Sequence, residues 1–167
     1  KLKWFENRPL FGKRVLVTRA RTQASALSKL LSERGVQPVE LPAIEIQPVN
    51  DPTELDQSII DLPGFDWMIF TSANGVEAMW DRLVVLGKDA RQFGSVKIGA
   101  IGPATAEALA ERGLYPDFMP VEYTSKGILE GLSERDVNGC HILLPRADIA
   151  PKDLTEGLIG LGAEPVE

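Results

Sequence analysis

Apolar residues along this chain fall into two alternating patterns. Short unbroken runs are followed by longer stretches in which apolar positions recur every three or four residues. Residues 96–119 show the arrangement most fully. VKIGAIG reads as a strand ending at Gly102-Pro103. PATAEALAERG then puts Ala106, Leu109, Ala110 and Gly113 on one helix face, and the apolar run resumes in LYPDFM. That order predicts a β-turn-α-β unit. The design recurs in RVLVT (14–18), followed by a helix ending SERG and then VQPVELP, and in CHILLP (140–145), followed by a helix ending GLG and then AEPVE. DWMIFTS (66–72) leads into ANGVEAMWDRL with no such exit. Gly35, Gly113 and Gly162 stand where a helix C′ residue takes the left-handed conformation. Strands alternating with helices in this way predict α/β architecture with parallel sheets.

The helical stretches carry recognisable faces: Leu27, Leu30 and Leu31; Leu55, Ile59 and Leu62; Val76, Met79, Trp80, Leu83 and Val84; Ile128, Leu129 and Leu132. Thr22 or Ser25 is the expected cap of the first of these. Residues 1–12 have no period, and the Arg8-Pro9 step disfavours helix. They read as a linker or arm whose Trp4, Phe5, Leu10 and Phe11 need a surface to cover them. Between the first helix and Thr53, prolines at 38, 42, 48 and 52 punctuate the chain while Ile44 and Ile46 alternate with polar residues. Prolines in strand-like runs belong at edges or connections, so residues 42–49 are expected to cross between two lobes.

Composition narrows the chemistry. The chain has 167 residues, is 44% hydrophobic and carries a net charge of −6, with no basic cluster or basic helix. That balance argues against nucleic acid and anionic membranes as partners, and leaves any anionic ligand to be held by local groups. One cysteine, Cys140, excludes an internal disulfide and a cysteine-rich metal site, and fits a cytoplasmic location. The one histidine, His141, falls within a predicted strand and reads as a strand-flank residue rather than a catalytic base. With one His and one Cys, no metal centre of conventional soft ligands is expected. GAIG (99–102) lacks the rest of a dinucleotide fingerprint, and there is no Walker pattern.

What remains is the crevice outside the carboxyl ends of parallel strands, where ligands of open α/β sheets bind. The reading places there Thr18 and Arg19; Thr71, Ser72, Ala73 and Asn74; Gly102, Pro103, Ala104 and Thr105; and Arg146 after Pro145. These are small residues, hydroxyls, an amide, two arginines and the amide ends of helices, a set that accepts carboxylates or phosphates without a basic patch. Each has a plainer alternative: Thr71, Ser72 and Thr105 as helix caps, Arg19 and Arg146 as surface arginines.

The order GKRVLVTRA, DWMIFTSANGVEA, KIGAIGPATAEALAERGL, EYTSKGILEGL and ILLPRAD resembles the uroporphyrinogen-III synthase family across nearly all of residues 13–167. The opening WFENRPLFGKRVLVTRAR is similar to the junction of bacterial fusions in which a uroporphyrinogen-III C-methyltransferase precedes the synthase. The resemblance implies two α/β lobes with parallel sheets flanked by helices, joined by a ribbon. Residues 1–12 would be the linker or arm, 13–41 the first part of lobe one, 42–49 the outgoing ribbon strand, 50–164 a complete lobe two, and 165–167 the start of a returning strand. On that expectation the closing portion of lobe one lies outside this chain. A lobe of two strands and one helix leaves an apolar face uncovered, so the alternative is docking on another copy by exchange.

The activity implied by the resemblance is cyclisation of hydroxymethylbilane to uroporphyrinogen III, with loss of water and inversion of the last ring through a spiro intermediate. No cofactor is implied. Thr105 matches the threonine discussed in the family, with Ser72 beside it as a second hydroxyl; Thr18, Arg19, Thr71, Ala73, Asn74, Gly102, Pro103, Ala104 and Arg146 would hold the substrate. The family's tyrosine on the returning strand would lie beyond Glu167, and Tyr123 does not correspond to it. The competing reading is a non-catalytic α/β module for a polyanionic small molecule or a protein partner.

Overall fold

The computed structural model describes residues 6–18, 21–43, 45–47, 49–147 and 150–167, without the side chains of 21–24. The chain forms two compact units, Lys1–Val49 and Asn50–Glu167.

In the first unit, β1 (Arg14–Val17) and β2 (Gln37–Glu40) pair in parallel around α1 (Arg21–Glu33). The helix starts at Arg21, so Thr22 and Ser25 lie inside it rather than at its cap. Val17 and Val36 are buried, whereas Leu16, Leu30 and Leu41 stay exposed. Two strands and one helix cannot cover both faces of their own sheet. The aperiodic arm is tied to the helix end, Leu10 N–H donating to the Arg34 carbonyl and Arg8 Nη1 to that of Glu33 at 2.6 Å; Leu10 and Phe11 nevertheless stay exposed, and Trp4 and Phe5 lie outside the described residues. Gly35 has φ 87°, and a Cβ there would lie 3.0 Å from Phe11 Cα. Residues 42–49 form no strand among those described. Leu41 and Ala43 donate instead to Val17 and Thr18, continuing along β1, because a ribbon strand requires a second strand to share its ladder. Ile44 and Pro48, on which that expectation partly rested, lie outside the described residues.

The second unit holds a four-stranded parallel sheet ordered β4-β3-β5-β6, formed by β3 (Trp67–Phe70), β4 (Lys97–Ala100), β5 (His141–Leu143) and β6 (Glu164–Val166). β3 is buried throughout, as expected of a strand covered on both faces. Met68 and Phe70 point to one core, with α2 (Thr53–Ile60), α3 (Ala73–Val85) and α4 (Pro103–Ala110). Trp67 and Ile69 point to the other, with α5 (Ser125–Ser133) and α6 (Asp153–Gly160). The alternation of strand side chains thus sorts the helices into two layers.

The apolar run after Gly113 contributes only a bridge, Gly99 to Phe118, on the outer edge of β4. Asp117 and Phe118 donate to Ile98 O, and Phe118 O accepts from Ala100. The Asp117 carboxylate takes the Ile98 N–H at 2.7 Å, standing in for a further strand carbonyl. Pro116 and Pro120 bracket the bridge and prevent a longer ladder.

Two local expectations are corrected. Leu62 sits in a 3-10 turn, Leu62–Gly64, because α2 stops at Ile60 ahead of Pro63. Val84, expected on the apolar stripe of α3, is exposed at its margin. Residues 165–167 were expected to begin a returning strand; Pro165 and Val166 belong to β6, which pairs with β5, and Glu164 N–H donates to Cys140 O and Leu144 N–H to Val166 O. Pro165 is tolerated because β6 is an edge. Among the described residues no helix is long and apolar enough to cross a membrane.

Candidate functional site

Counting the Phe118 bridge, chain order runs outward from β3 to β4 on one side and from β5 to β6 on the other. The switch point therefore lies between β3 and β5, where an open parallel sheet leaves a crevice at its carboxyl end. Two features build it. Ser72, extended at φ −161°, caps α3 by accepting from Gly75 N–H at 3.1 Å. The absence of a side chain at Gly75 lets that first turn reach the exit of β5, where a Cβ would sit 2.5 Å from the Pro145 carbonyl oxygen. Thr71, Ser72, Ala73 and Asn74 line this turn, all half-buried. Capping uses only an acceptor position of the Ser72 hydroxyl; its proton remains available for donation.

Phe70 lies opposite Ala100, so the start of α4 stands beside that of α3 at the same end of the sheet. Gly102 is its N-cap and Pro103 its first residue. Proline offers no N–H, and those of Thr105 and Ala106 donate to Gly102 O, which leaves the exposed turn only the Ala104 amide. Thr105 is 3% exposed and faces the interior. Thr105, whose hydroxyl was expected at the ligand, is the third residue of α4.

Arg146 was expected beside a helix start. Helix α6 begins only at Asp153, so Arg146 is not at a helix start. Its side chain, 5% exposed, donates from Nη2 to Glu167 Oε1 at 2.5 Å and to Thr155 Oγ1 at 3.1 Å. A guanidinium that deeply buried requires a counter-charge, and Glu167 supplies it. Its Nε is buried without a partner. Lys152 and Thr155 also donate to Glu167. Hydrogen bonds from Lys152 and then Thr155, with the Arg146 charge adding to them, lower the Glu167 carboxyl from the usual 4.5 to about 2. Because the folded state prefers the ionised form, its stabilisation is complete above about pH 4.5 and lost as pH falls from there towards 2. Glu167→Gln is therefore expected to lower stability at neutral pH and to flatten its pH dependence across that window. Thermal melts followed by circular dichroism check this; an unchanged profile would mean the cluster is not formed in solution.

Thr18 is exposed at the end of β1 in the first unit, and Arg19 lies outside the described residues. His141 stands at the opposite end of the sheet, 3.4 Å from Glu164, as a strand-flank residue. Burial, followed by the neighbouring Asp66 and Asp136 charges, pushes the Cys140 thiol pKa up, away from nucleophile chemistry.

Residues 25–167 match the model of the uroporphyrinogen-III synthase HemD family. This chain belongs to that family. It is 36% identical over 154 residues to the porphyrin biosynthesis protein HemD of Ruminiclostridium josui, covering 92% of this chain and 31% of that protein. It is 34% identical over 160 residues to the uroporphyrinogen-III synthase of Synechococcus elongatus, covering 95% of this chain and 60% of that protein. A crystal structure of a mutant uroporphyrinogen III synthase from Thermus thermophilus shares the fold with TM-score 0.71 at 24% identity, over 92% of this chain and 60% of that one. The chain thus spans 31% to 60% of the length of these relatives.

Within this synthase-family fold, sequence reasoning missed the third helix start at the rim. Since Phe118 pairs alongside β4, the chain leaves it at the carboxyl end, and α5 begins there, capped by Thr124 accepting from Gly127 N–H at 3.0 Å. The signal was present in the apolar run LYPDFM: read as an edge strand, it puts Tyr123 and Thr124 at the crevice. A separate groove of about 420 Å³ runs beside α2 and β6. Glu54, Asp61 and Glu167 line it, so it repels a polyanion.

Proposed function

We propose that a protein in which this chain is continued to the length of its relatives converts hydroxymethylbilane to uroporphyrinogen III with loss of water. The observation that carries this reading is the set of three helix starts, those of α3, α4 and α5, at one rim beside the switch point of an otherwise acidic chain. Helix starts hold carboxylates through oriented amides and dipole without a basic surface. The substrate bears acetate and propionate arms on its pyrroles, so several such positions fit it better than one.

The chemistry asks little of side-chain acids and bases. The electrons of a pyrrole nitrogen expel the terminal hydroxyl as water with a proton, leaving an azafulvene. Attack by the substituted carbon of the last ring gives the spiro species whose reopening and reclosure invert that ring. The protein's contribution is to hold a flexible chain so that this route outruns head-to-tail closure, which is catalysis by orientation. Ser72, with a free hydroxyl proton at the rim, is the donor we place near the departing group; Ala73 and Ala104 amides are the donors we place on carboxylate arms. Thr105, on the first turn of α4, is the second hydroxyl we place near the departing group. No cofactor takes part, and a cytoplasmic setting suits the composition. The match over 31% of the Ruminiclostridium josui protein leaves room for the fused methyltransferase suggested by the opening residues. Exchange between copies is the alternative cover for the leucines exposed on the first unit.

The test generates hydroxymethylbilane from porphobilinogen with its deaminase and quantifies the isomers. The continued protein is expected to yield mainly uroporphyrinogen III, while this chain alone leaves the spontaneous isomer I dominant. Predominant isomer I from the continued protein would overturn the synthase reading.

A further inference from the structure

We propose that Tyr123 is a specificity-determining residue of the carboxyl-end site, its ring forming the wall against which a pyrrole ring of the ligand lies. This rests on the reading above and names what the site recognises besides carboxylates. Tyr123 lies on the N-cap of α4: a Cβ at Gly102 would stand 3.2 Å from its Cγ and 3.5 Å from its Cδ1. The residue is nevertheless 55% exposed, so it rests on the helix start while much of it faces solvent.

Its backbone is pinned on both sides. Before it, Phe118 is hydrogen-bonded to β4. After it, Thr124 N–H donates to Glu122 O at 2.8 Å, and Thr124 caps α5. Gly127 allows Glu122 O to rest directly on that helix, where any Cβ would collide with it. A ring held in this way loses little freedom when a ligand packs on it. Val121, 98% exposed, and Met119 extend the apolar strip along the same loop. Together with Tyr123 they offer a flat-ringed ligand an apolar surface beside the rim.

Two needs meet here. Amide donors recognise the acid arms, which any polycarboxylate possesses, whereas an aromatic wall rewards only a ligand with flat rings between the arms. Tyr123 therefore separates a pyrrole-based polyacid from a compact one. Its hydroxyl is not required for this, so phenylalanine should serve as well.

The probe is uroporphyrin III, titrated by its fluorescence into this chain and into Tyr123→Ala and Tyr123→Phe, with citrate as a ring-free competitor at constant ionic strength. Tyr123→Ala is expected to weaken uroporphyrin binding about tenfold, Tyr123→Phe by less than about twofold, and citrate should compete at the same concentrations in all three. Melting temperatures within a few degrees of one another, expected for a half-exposed side chain, exclude a folding effect. Uroporphyrin binding that Tyr123→Ala leaves unchanged, or that Tyr123→Phe weakens equally, overturns the wall while the polyacid site stands. No binding to the unsubstituted chain, or no competition by citrate, overturns the site itself and this inference with it.

Discussion

Phe70→Ala is expected to remove about 3–5 kcal/mol of stability from the second unit. Phe70 is 1% exposed at the end of β3, flanked by β4 and packed into the layer of α2, α3 and α4. Its carbonyl also accepts from Ile101 N–H at 2.9 Å, so the residue joins sheet to core just below the crevice. Domains of this size rarely hold more than about 5–15 kcal/mol in total, and the loss would leave a large unfolded fraction. Urea denaturation should show the midpoint falling with an unchanged slope. Val84→Ala, on an exposed position of α3, should stay within about 0.5 kcal/mol. A Phe70→Ala loss as small as that of Val84→Ala would mean that β3 is not the centre of the core.

Gly75→Ala should both destabilise the unit and damage the site. The added methyl would meet a backbone oxygen, that of Pro145, and neither partner is a flexible side chain that can swing away. The first turn of α3 must shift, straining its Ser72 cap. Overpacking of this kind costs about 1–3 kcal/mol, and a lost cap about 1 more. Because the turn that moves carries Ser72, Ala73 and Asn74, ligand binding should fall further than the melting temperature alone accounts for. Gly160→Ala is the contrast: nothing lies within 4 Å of its would-be Cβ, so it should be neutral or stabilise by up to about 1 kcal/mol. Equal behaviour of the two variants would remove the tight junction from the site's construction.

Much of the architecture was legible in the chain because it rests on local pattern. The glycines read as helix ends, Gly35, Gly113 and Gly162, all have positive φ, since only glycine takes that conformation without strain. The faces of Val76, Met79 and Leu83, and of Ile128 and Leu132, are buried as their spacing implies. Ser72 as the cap of α3 was one of the two roles open to it. What the sequence did not show is what lies across space. Arg146 meets Glu167, which follows β6. Thr105, near-cap or ligand contact on the sequence alone, is 3% exposed. Tyr123 was passed over because its neighbour is Gly102, contributed by another strand-helix turn.

The sequence by itself determined that strands and helices alternate, that helices end at Gly35, Gly113 and Gly162, that the sheets are parallel, and that an acidic chain without a basic cluster leaves any anionic ligand to local groups. These follow from periodicity, glycine conformation and charge, which are properties of neighbouring residues. The tertiary structure alone decided the order of strands, and with it that the crevice lies between β3 and β5, that three helices open onto its rim, and that Arg146 pairs with Glu167. Strand order joins residues far apart in the chain through hydrogen bonds any backbone can make, so no side-chain pattern records it.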